Sequence, residues 1–426
     1  MSTFVVQGKQ RLVGSYPVQG NKNAALPLIA AGLLSERAVL DRVPDILDVR
    51  NLLRIVESLG VTVTRREGSL EIERPGTLEP RLDEEMVHQL RGSVLLLGVL
   101  LPEIGRLEAP LPGGCPIGRR SLETHWRVFE AAGFDVSEQN GRVRIRRSRQ
   151  IEHPRVYLPE ASVTATENAL LLFARTGGTV ENPAREPHVL SLIEFLQKLG
   201  VEVETHPLHY VIRKGVSSLG REIKFTIPPD YIDAGTAAFA AAVTHGSLRL
   251  ENLRPGDFIG IHSTLEAFDL HVSWEDDTAA VDFQGTELRN PEKITAAPWP
   301  GFPTDLTSLA IVAATQAAGE CLVHDWLYES RMFFVDKLVR MGARITLCDP
   351  HRVLVCGPTV LRGIRLESPD IRAGMALLVA GLCAEGVTII EHAEVVERGY
   401  ENVVSRFRGI GGQIRKLEND KVESPG

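Results

Sequence analysis

Apolar and polar positions along the chain fall into a pattern that repeats. One phrase is an apolar helical stretch, then a glycine, then alternating apolar residues, as in Val56-Glu57-Ser58-Leu59-Gly60-Val61-Thr62-Val63. It returns around Gly133, Gly200, Gly342 and Gly411, and a degraded copy carries Asp269 in the glycine's place. The anchors recur roughly every 70 residues, so six units account for the chain. A second phrase runs in phase with it. Alanine- and leucine-rich runs within 24–44, 93–110, 167–183, 234–255, 307–325 and 373–393 predict helices buried on most sides. Each run breaks at turn residues such as Gly177-Gly178 or His245-Gly246. An alternating segment follows, as in Leu248-Arg249-Leu250-Glu251-Asn252-Leu253, which has the period of a strand. Each unit therefore reads helix, strand, helix, glycine turn, strand, strand. The glycine ending the second helix fits the position where positive φ is cheap only without a Cβ.

An α/β repeat of this length could also build a solenoid with no catalysis. Several irregular loops rich in special residues argue against that. Composition narrows the choice further. The 426 residues carry 47 Lys+Arg against 55 Asp+Glu, a net charge of −8, with 43% hydrophobic and 24% charged residues. These are the proportions of a folded soluble protein. The acidic balance argues against nucleic acid as the main partner but leaves room for a local basic pocket. No apolar run approaches the roughly 18 residues of a spanning helix. The first residues, Met1-Ser2-Thr3-Phe4, lack the pattern of a secretory signal. Cys115, Cys321, Cys348, Cys356 and Cys383 show no CxxC spacing, which fits buried thiols in a reducing cytoplasm.

Four groups of residues could carry chemistry. Gly20-Asn21-Lys22-Asn23-Ala24-Ala25 opens the first buried helix. A lysine beside helix N-terminal N–H groups attracts an anion, although an exposed lysine next to an asparagine cap is the more ordinary reading. Leu111-Pro112-Gly113-Gly114-Cys115-Pro116-Ile117-Gly118-Arg119-Arg120 is a glycine-rich basic loop in which the arginines favour the thiolate of Cys115. The other four cysteines fall in helix or strand patterns and read as inert core. His351 between Cys348 and Cys356 raises a metal site that nothing completes. Trp299-Pro300-Gly301-Phe302-Pro303-Thr304-Asp305 ends in a carboxylate that is either a helix cap or a general base. Finally, Arg331, Arg372 and Arg398 stand at comparable points of separate units, as cations converging on an anion would.

Together these residues resemble the enolpyruvyl transferase family. The likeness is greater to the members that act on UDP-N-acetylglucosamine than to 5-enolpyruvylshikimate-3-phosphate synthase. It runs from Phe4-Val5-Val6-Gln7-Gly8 to Gly411. Its specific pieces, in order, are Lys22-Asn23-Ala24-Ala25, Leu111-Pro112-Gly113-Gly114-Cys115, Phe302-Pro303-Thr304-Asp305 and Arg398-Gly399-Tyr400-Glu401. The resemblance implies an α/β (α+β) fold, a two-domain inside-out α/β barrel of six βαβαββ repeats, three per domain. The implied domains are residues 1–20 with 231–426, and residues 21–230. It implies transfer of the enolpyruvyl group of phosphoenolpyruvate to a sugar 3-hydroxyl, with phosphate released and no metal or organic cofactor. Lys22, Arg120 and Arg398 would hold the phosphate, and Arg331 and Arg372 the carboxylate and intermediate. Cys115 would be the acid and Asp305 the base. Asn23, Arg91, Ser162, Val163, Leu327 and Asp370 would complete substrate binding. The implied partners are phosphoenolpyruvate and a UDP-sugar, with no nucleic acid and no membrane; the oligomeric state is left open.

This chain departs from the family pattern on the nucleotide side. It has Arg120-Ser121-Leu122-Glu123-Thr124-His125 where a proline usually follows the arginine. It has Glu160 for a lysine that faces the diphosphate, Thr164 for a glycine, and Tyr231 for an arginine. The phosphoenolpyruvate side is intact. Enolpyruvyl transfer to another nucleotide or sugar, or a silent binding homologue, therefore stand as alternatives to transfer onto UDP-N-acetylglucosamine.

Overall fold

The computed structural model describes residues 2–79, 82–113, 118, 121–213, 222–285 and 287–418. The described residues divide into two compact units, one holding those of 2–19, 118 and 229–418, the other those of 20–113 and 121–228. Among the described residues the strands form five four-stranded sheets and one three-stranded sheet. All six are open, so the described residues contain no closed barrel.

The four-stranded sheets share one plan. In the sheet after residue 290, Lys293–Thr295 runs parallel to Gly319–His324. That strand pairs antiparallel with Arg352–Gly357, which pairs antiparallel with Arg344–Asp349. The helix Thr307–Gln316 is the crossover of the parallel pair, and the shorter helix Val335–Arg340 precedes the hairpin. Three sheets draw a strand from far along the chain. Glu222–Thr226 lies parallel to Arg37–Asp41 in the second unit. Val13–Pro17 lies parallel to Ser247–Glu251 in the first. Ser2–Gln7 sits between Val387–Glu391 and Ile414–Glu418, antiparallel to both.

The crossover helices are buried almost all round, because their sequences are rich in alanine, glycine and leucine. Tyr231–Val243, Thr307–Gln316 and Ile371–Cys383 pack on one another in the first unit. In the second unit Lys22–Gly32, Leu95–Ile104 and Val163–Thr176 do the same work, with Leu28, Leu96, Leu100 and Leu171 at zero exposure. Each such leucine contributes about 1.5–3 kcal/mol by leaving water. Small residues set the spacing. A Cβ on Gly98 would lie 2.6 Å from Asn168 Oδ1, so Leu95–Ile104 can approach Val163–Thr176 only as it does. The outer strands alternate, buried residues inward and charged residues outward, as in Arg142–Arg147. The turn glycines 60, 133, 200, 342 and 411 have φ from +87° to +107°, and Asp269 in the degraded copy stands at +61°. No helix among the described residues is long and apolar enough to cross a membrane.

Candidate active site

In the first unit the chain leaves Pro303 through the turn Thr304–Leu306 into the helix Thr307–Gln316. The residue at the helix's cap position is Leu306, and no side chain caps it. Asp305 is therefore not a cap. Its Oδ1 lies 3.1 Å from Arg331 Nη2 and its Oδ2 lies 2.7 Å from Arg372 Nη2. Both arginine side chains are nearly buried, at 3% and 7% exposure, while the carboxylate is 26% exposed. The guanidinium of Arg331 lies over the Tyr328 ring at 5.4 Å, and that of Arg372 over the Tyr400 ring at 5.2 Å. Burial works against the Arg372 charge, but Asp305, Tyr400 and Asp230 more than offset it and hold the guanidinium above its ordinary range. The buried Nε of Arg331 has no hydrogen-bond partner among the described residues. A carboxylate between two arginines, one with a donor to spare, is an arrangement that would accept a further anion.

The supports of this cluster come from neighbouring loops. Asp370 caps the helix Ile371–Cys383, accepting from the backbone N–H of Arg372 at 2.8 Å and of Ala373 at 3.0 Å. Asp325 has zero exposure. Its carboxylate accepts from the hydroxyls of Thr304 and Thr307 and from the Leu327 N–H at 3.0 Å. One buried carboxylate thus ties the turn that carries Asp305 to the backbone at Leu327. His351 Nδ1 meets the Asp325 carbonyl at 2.8 Å, so this histidine has a structural task.

In the second unit Asn21 caps the helix Lys22–Gly32, its side chain accepting from Ala24 N at 3.1 Å. Lys22 is not a solvated lysine. Its Nζ is 2.8 Å from Asp48 Oδ2, with side-chain exposures of 10% and 5%. Asn23 beside it is half-buried. Arg91 donates to the Ser121 carbonyl at 3.0 Å. Ser162 and Val163 open the helix Val163–Thr176. Close to them, Asn168 accepts from Gly98 N at 3.0 Å and donates from Nδ2 to the Val94 carbonyl and to His125 Nδ1, at 3.1 and 2.8 Å. His125 Nδ1 must then be an acceptor, and its Nε2, 3.0 Å from Thr164 Oγ1, carries the proton. Thr124 faces Glu160 Oε1 at 3.5 Å.

A sequence profile of the EPSP synthase (3-phosphoshikimate 1-carboxyvinyltransferase) family matches residues 6–407. The chain belongs to this family. Among its relatives, the UDP-N-acetylglucosamine 1-carboxyvinyltransferase of Bradyrhizobium diazoefficiens is 41% identical, covering 98% of this chain and 99% of its own. The protein of the same name from Treponema denticola is 40% identical over 98% of this chain and 100% of its own. The fold is that of the enolpyruvyl transferase NikO from Streptomyces tendae, with a TM-score of 0.87 at 22% identity over 98% and 99% of the two chains. EPSP synthase from Acinetobacter baumannii follows at a TM-score of 0.74 and 19% identity, covering 98% and 100%.

Against the family's expected site, the structure brings Asp305, Arg331 and Arg372 into direct contact. Leu327 and Asp370 are joined to that cluster through Asp325 and through the helix start at Arg372. Arg398 is half-buried at the end of the turn Ala393–Arg398, two residues from the Tyr400 ring under Arg372. In the other unit, Ser162, Val163 and the His125–Thr164 contact share one helix start. Cys115 and Arg120 lie outside the described residues. Of the other cysteines, Cys321 is core, whereas Cys348 is exposed on the strand Arg344–Asp349, contrary to its reading as core. Sequence reasoning missed Asp48, Asp325 and Asn168. Little that is local marks them, because apart from Leu327 the partners named above are 18 or more residues away.

Proposed function

We propose that this protein transfers the enolpyruvyl group of phosphoenolpyruvate to the 3-hydroxyl of UDP-N-acetylglucosamine and releases phosphate, the committing step of peptidoglycan synthesis. The observation that carries this reading is Asp305 held between the buried guanidinium groups of Arg331 and Arg372. Two fixed cations match the carboxylate of phosphoenolpyruvate, and a carboxylate beside them matches a base for the acceptor hydroxyl. On this assignment the substrate carboxylate takes over part of the arginine contacts and frees an oxygen of Asp305. That oxygen accepts the hydroxyl proton as the sugar oxygen bonds to C2, while Cys115 protonates C3. C3 then loses a proton, the C2–O bond to phosphate breaks, and the enol ether forms. Lys22, Arg120 and Arg398 hold the phosphate as it leaves. Asn23, Arg91, Ser162, Val163, Leu327 and Asp370 complete the substrate contacts.

Buried crossover helices under half-exposed sheets support reading the chain as six βαβαββ repeats, three to an inside-out α/β barrel. We take residues 1–20 with 231–426 and residues 21–230 as the two domains. Both proposed substrates arise in intracellular metabolism, which supports a cytoplasmic location for the protein. Glu160 beside Thr124, and Thr164 bound to His125, favour a second reading in which the acceptor is a different nucleotide sugar. The test is phosphate release from phosphoenolpyruvate with a panel of sugar nucleotides. Release that depends on UDP-N-acetylglucosamine supports the first reading. Release only with another acceptor replaces it with the second, and release with none refutes both.

A further inference from the structure

The residues that present Arg398 point to a group outside the site just described. Gln19 is 7% exposed and ends the first segment of its unit. Its side-chain amide brackets Tyr400. Nε2 donates to the Gly399 carbonyl at 3.0 Å, and Oε1 accepts from the Glu401 N–H at 2.8 Å. The amide's orientation is fixed by its partners, since a carbonyl only accepts and a backbone N–H only donates. Oε1 also accepts from Arg406 Nη1 at 3.2 Å. Arg406 in turn grips Asp233 through both nitrogens, at 2.9 and 2.6 Å, and donates to the Pro17 carbonyl at 2.7 Å. Asp233 has a side chain of zero exposure and also accepts from Tyr16 OH at 2.9 Å and from the Gln19 N–H at 3.1 Å. The backbone of Gln19 is pinned at its other end, its carbonyl accepting from Asp230 N at 2.9 Å.

The bracketed residue matters twice. Tyr400 OH meets Thr236 Oγ1 at 2.9 Å, and its ring lies under Arg372. Its chain neighbour Gly399 follows Arg398 directly. Holding Gly399 and Glu401 therefore fixes both the backbone that carries Arg398 and the ring beneath Arg372.

We infer that Gln19 is a positioning residue for Arg398, acting through the Gly399–Tyr400–Glu401 backbone, and that the buried Asp233–Arg406 pair holds Gln19 in place. The inference rests on the proposed role of Arg398 at the phosphate. Gln19→Met keeps the length and removes both polar ends, leaving the Gly399 carbonyl and the Glu401 N–H without their partner.

The experiment measures the KM of phosphoenolpyruvate and of UDP-N-acetylglucosamine for the parent, Gln19→Met, Arg398→Ala and the double variant. Gln19→Met should raise the phosphoenolpyruvate KM about tenfold and leave the acceptor KM within about twofold, since a buried polar group losing its partner costs a factor of that size. With Arg398 removed, the same substitution should add less than about twofold, as expected for residues acting through one contact. An equal penalty in both backgrounds, or a rise in both KM values together, makes Gln19 a purely structural residue and overturns the inference. An impaired Arg398→Ala beside a normal Gln19→Met overturns it while leaving the phosphate assignment standing. An unimpaired Arg398→Ala overturns both. Gln19→Glu keeps the acceptor to Glu401 and Arg406 but turns the donor to the Gly399 carbonyl into a second acceptor, so that contact is lost. It should raise the same KM and serves if the methionine variant does not fold.

Discussion

Asp305→Asn separates the two tasks that the geometry gives this carboxylate. The amide keeps the shape but cannot take a proton, so loss of a general base should lower turnover by about 10²–10⁴-fold, or roughly 3–5 kcal/mol of barrier. The same change withdraws a negative charge from two guanidinium groups whose side chains are 3% and 7% exposed. Removing one partner of a fully buried pair costs about 3–5 kcal/mol, and the 26% exposure of the carboxylate brings that down to about 1–3 kcal/mol. The variant should therefore melt lower than the parent in the absence of ligand. Phosphoenolpyruvate brings its own carboxylate to the freed arginines, so it should restore more melting temperature in the variant than in the parent. Its affinity should not fall.

A steady-state assay of phosphate release and a thermal melt with and without phosphoenolpyruvate read both effects. Near-normal turnover would leave the reaction without its proposed base. Lost turnover with equally weakened phosphoenolpyruvate binding would mean that Asp305 builds the anion site and does not compete for it.

Three further outcomes follow from other parts of the molecule. Fosfomycin, an epoxide phosphonate, should alkylate Cys115, because burial pushes the Cys321 and Cys383 thiols up to about 12 and keeps them unreactive; peptide mass spectrometry placing the adduct elsewhere would refute this. Burial, with the charge of Glu186, raises Glu167 well above the usual carboxylate range, and its Oε1 has no hydrogen-bond partner among the described residues. The folded state then holds a proton that the unfolded chain releases, so stability falls as pH rises above the ordinary carboxylate range of about 4. Glu167→Gln should melt higher than the parent at pH 8, with the gap closing toward pH 4, whereas a gap independent of pH would contradict the assignment. Gly98→Ala drives a methyl to 2.6 Å from Asn168 Oδ1, which should cost about 1–3 kcal/mol in denaturant unfolding and raise the acceptor KM through His125; an unchanged KM would separate Asn168 from the acceptor.

The helices and strands were legible because their signals are local. An alanine-rich run such as Ala237-Ala238-Phe239-Ala240-Ala241-Ala242 has no polar face to offer water, so it can only be a buried helix. Alternation in Ser247–Glu251 marks a strand with one wet side. The pairing of Glu222–Thr226 with Arg37–Asp41 was not legible, since nothing in either strand's own pattern names a partner so far along the chain. Lys22 shows the same limit at one residue. Local sequence favoured an exposed lysine, whereas the fold buries it against Asp48, which reaches it from the following helix.

The nucleotide side shows how a departure from a family pattern is absorbed. Taken alone, Thr164 in place of glycine adds a hydroxyl and a methyl at the helix start beside Ser162 and Val163. In the fold that hydroxyl meets His125 Nε2, and Asn168 fixes the other ring nitrogen as an acceptor. The histidine is thereby locked in one tautomer and one orientation before any ligand arrives. Glu160 has no such compensation. It is an exposed carboxylate whose contact with Thr124 is long, at 3.5 Å, so it stays available to repel a diphosphate or to accept from a sugar hydroxyl. On the proposed assignment of this side to the nucleotide, Glu160 is the change expected to act on the acceptor, and Thr164 the one expected to act on the protein. Acceptor choice should follow Glu160→Lys and be insensitive to Thr164→Ser, which keeps the hydroxyl. The opposite result would place the specificity in the histidine's orientation.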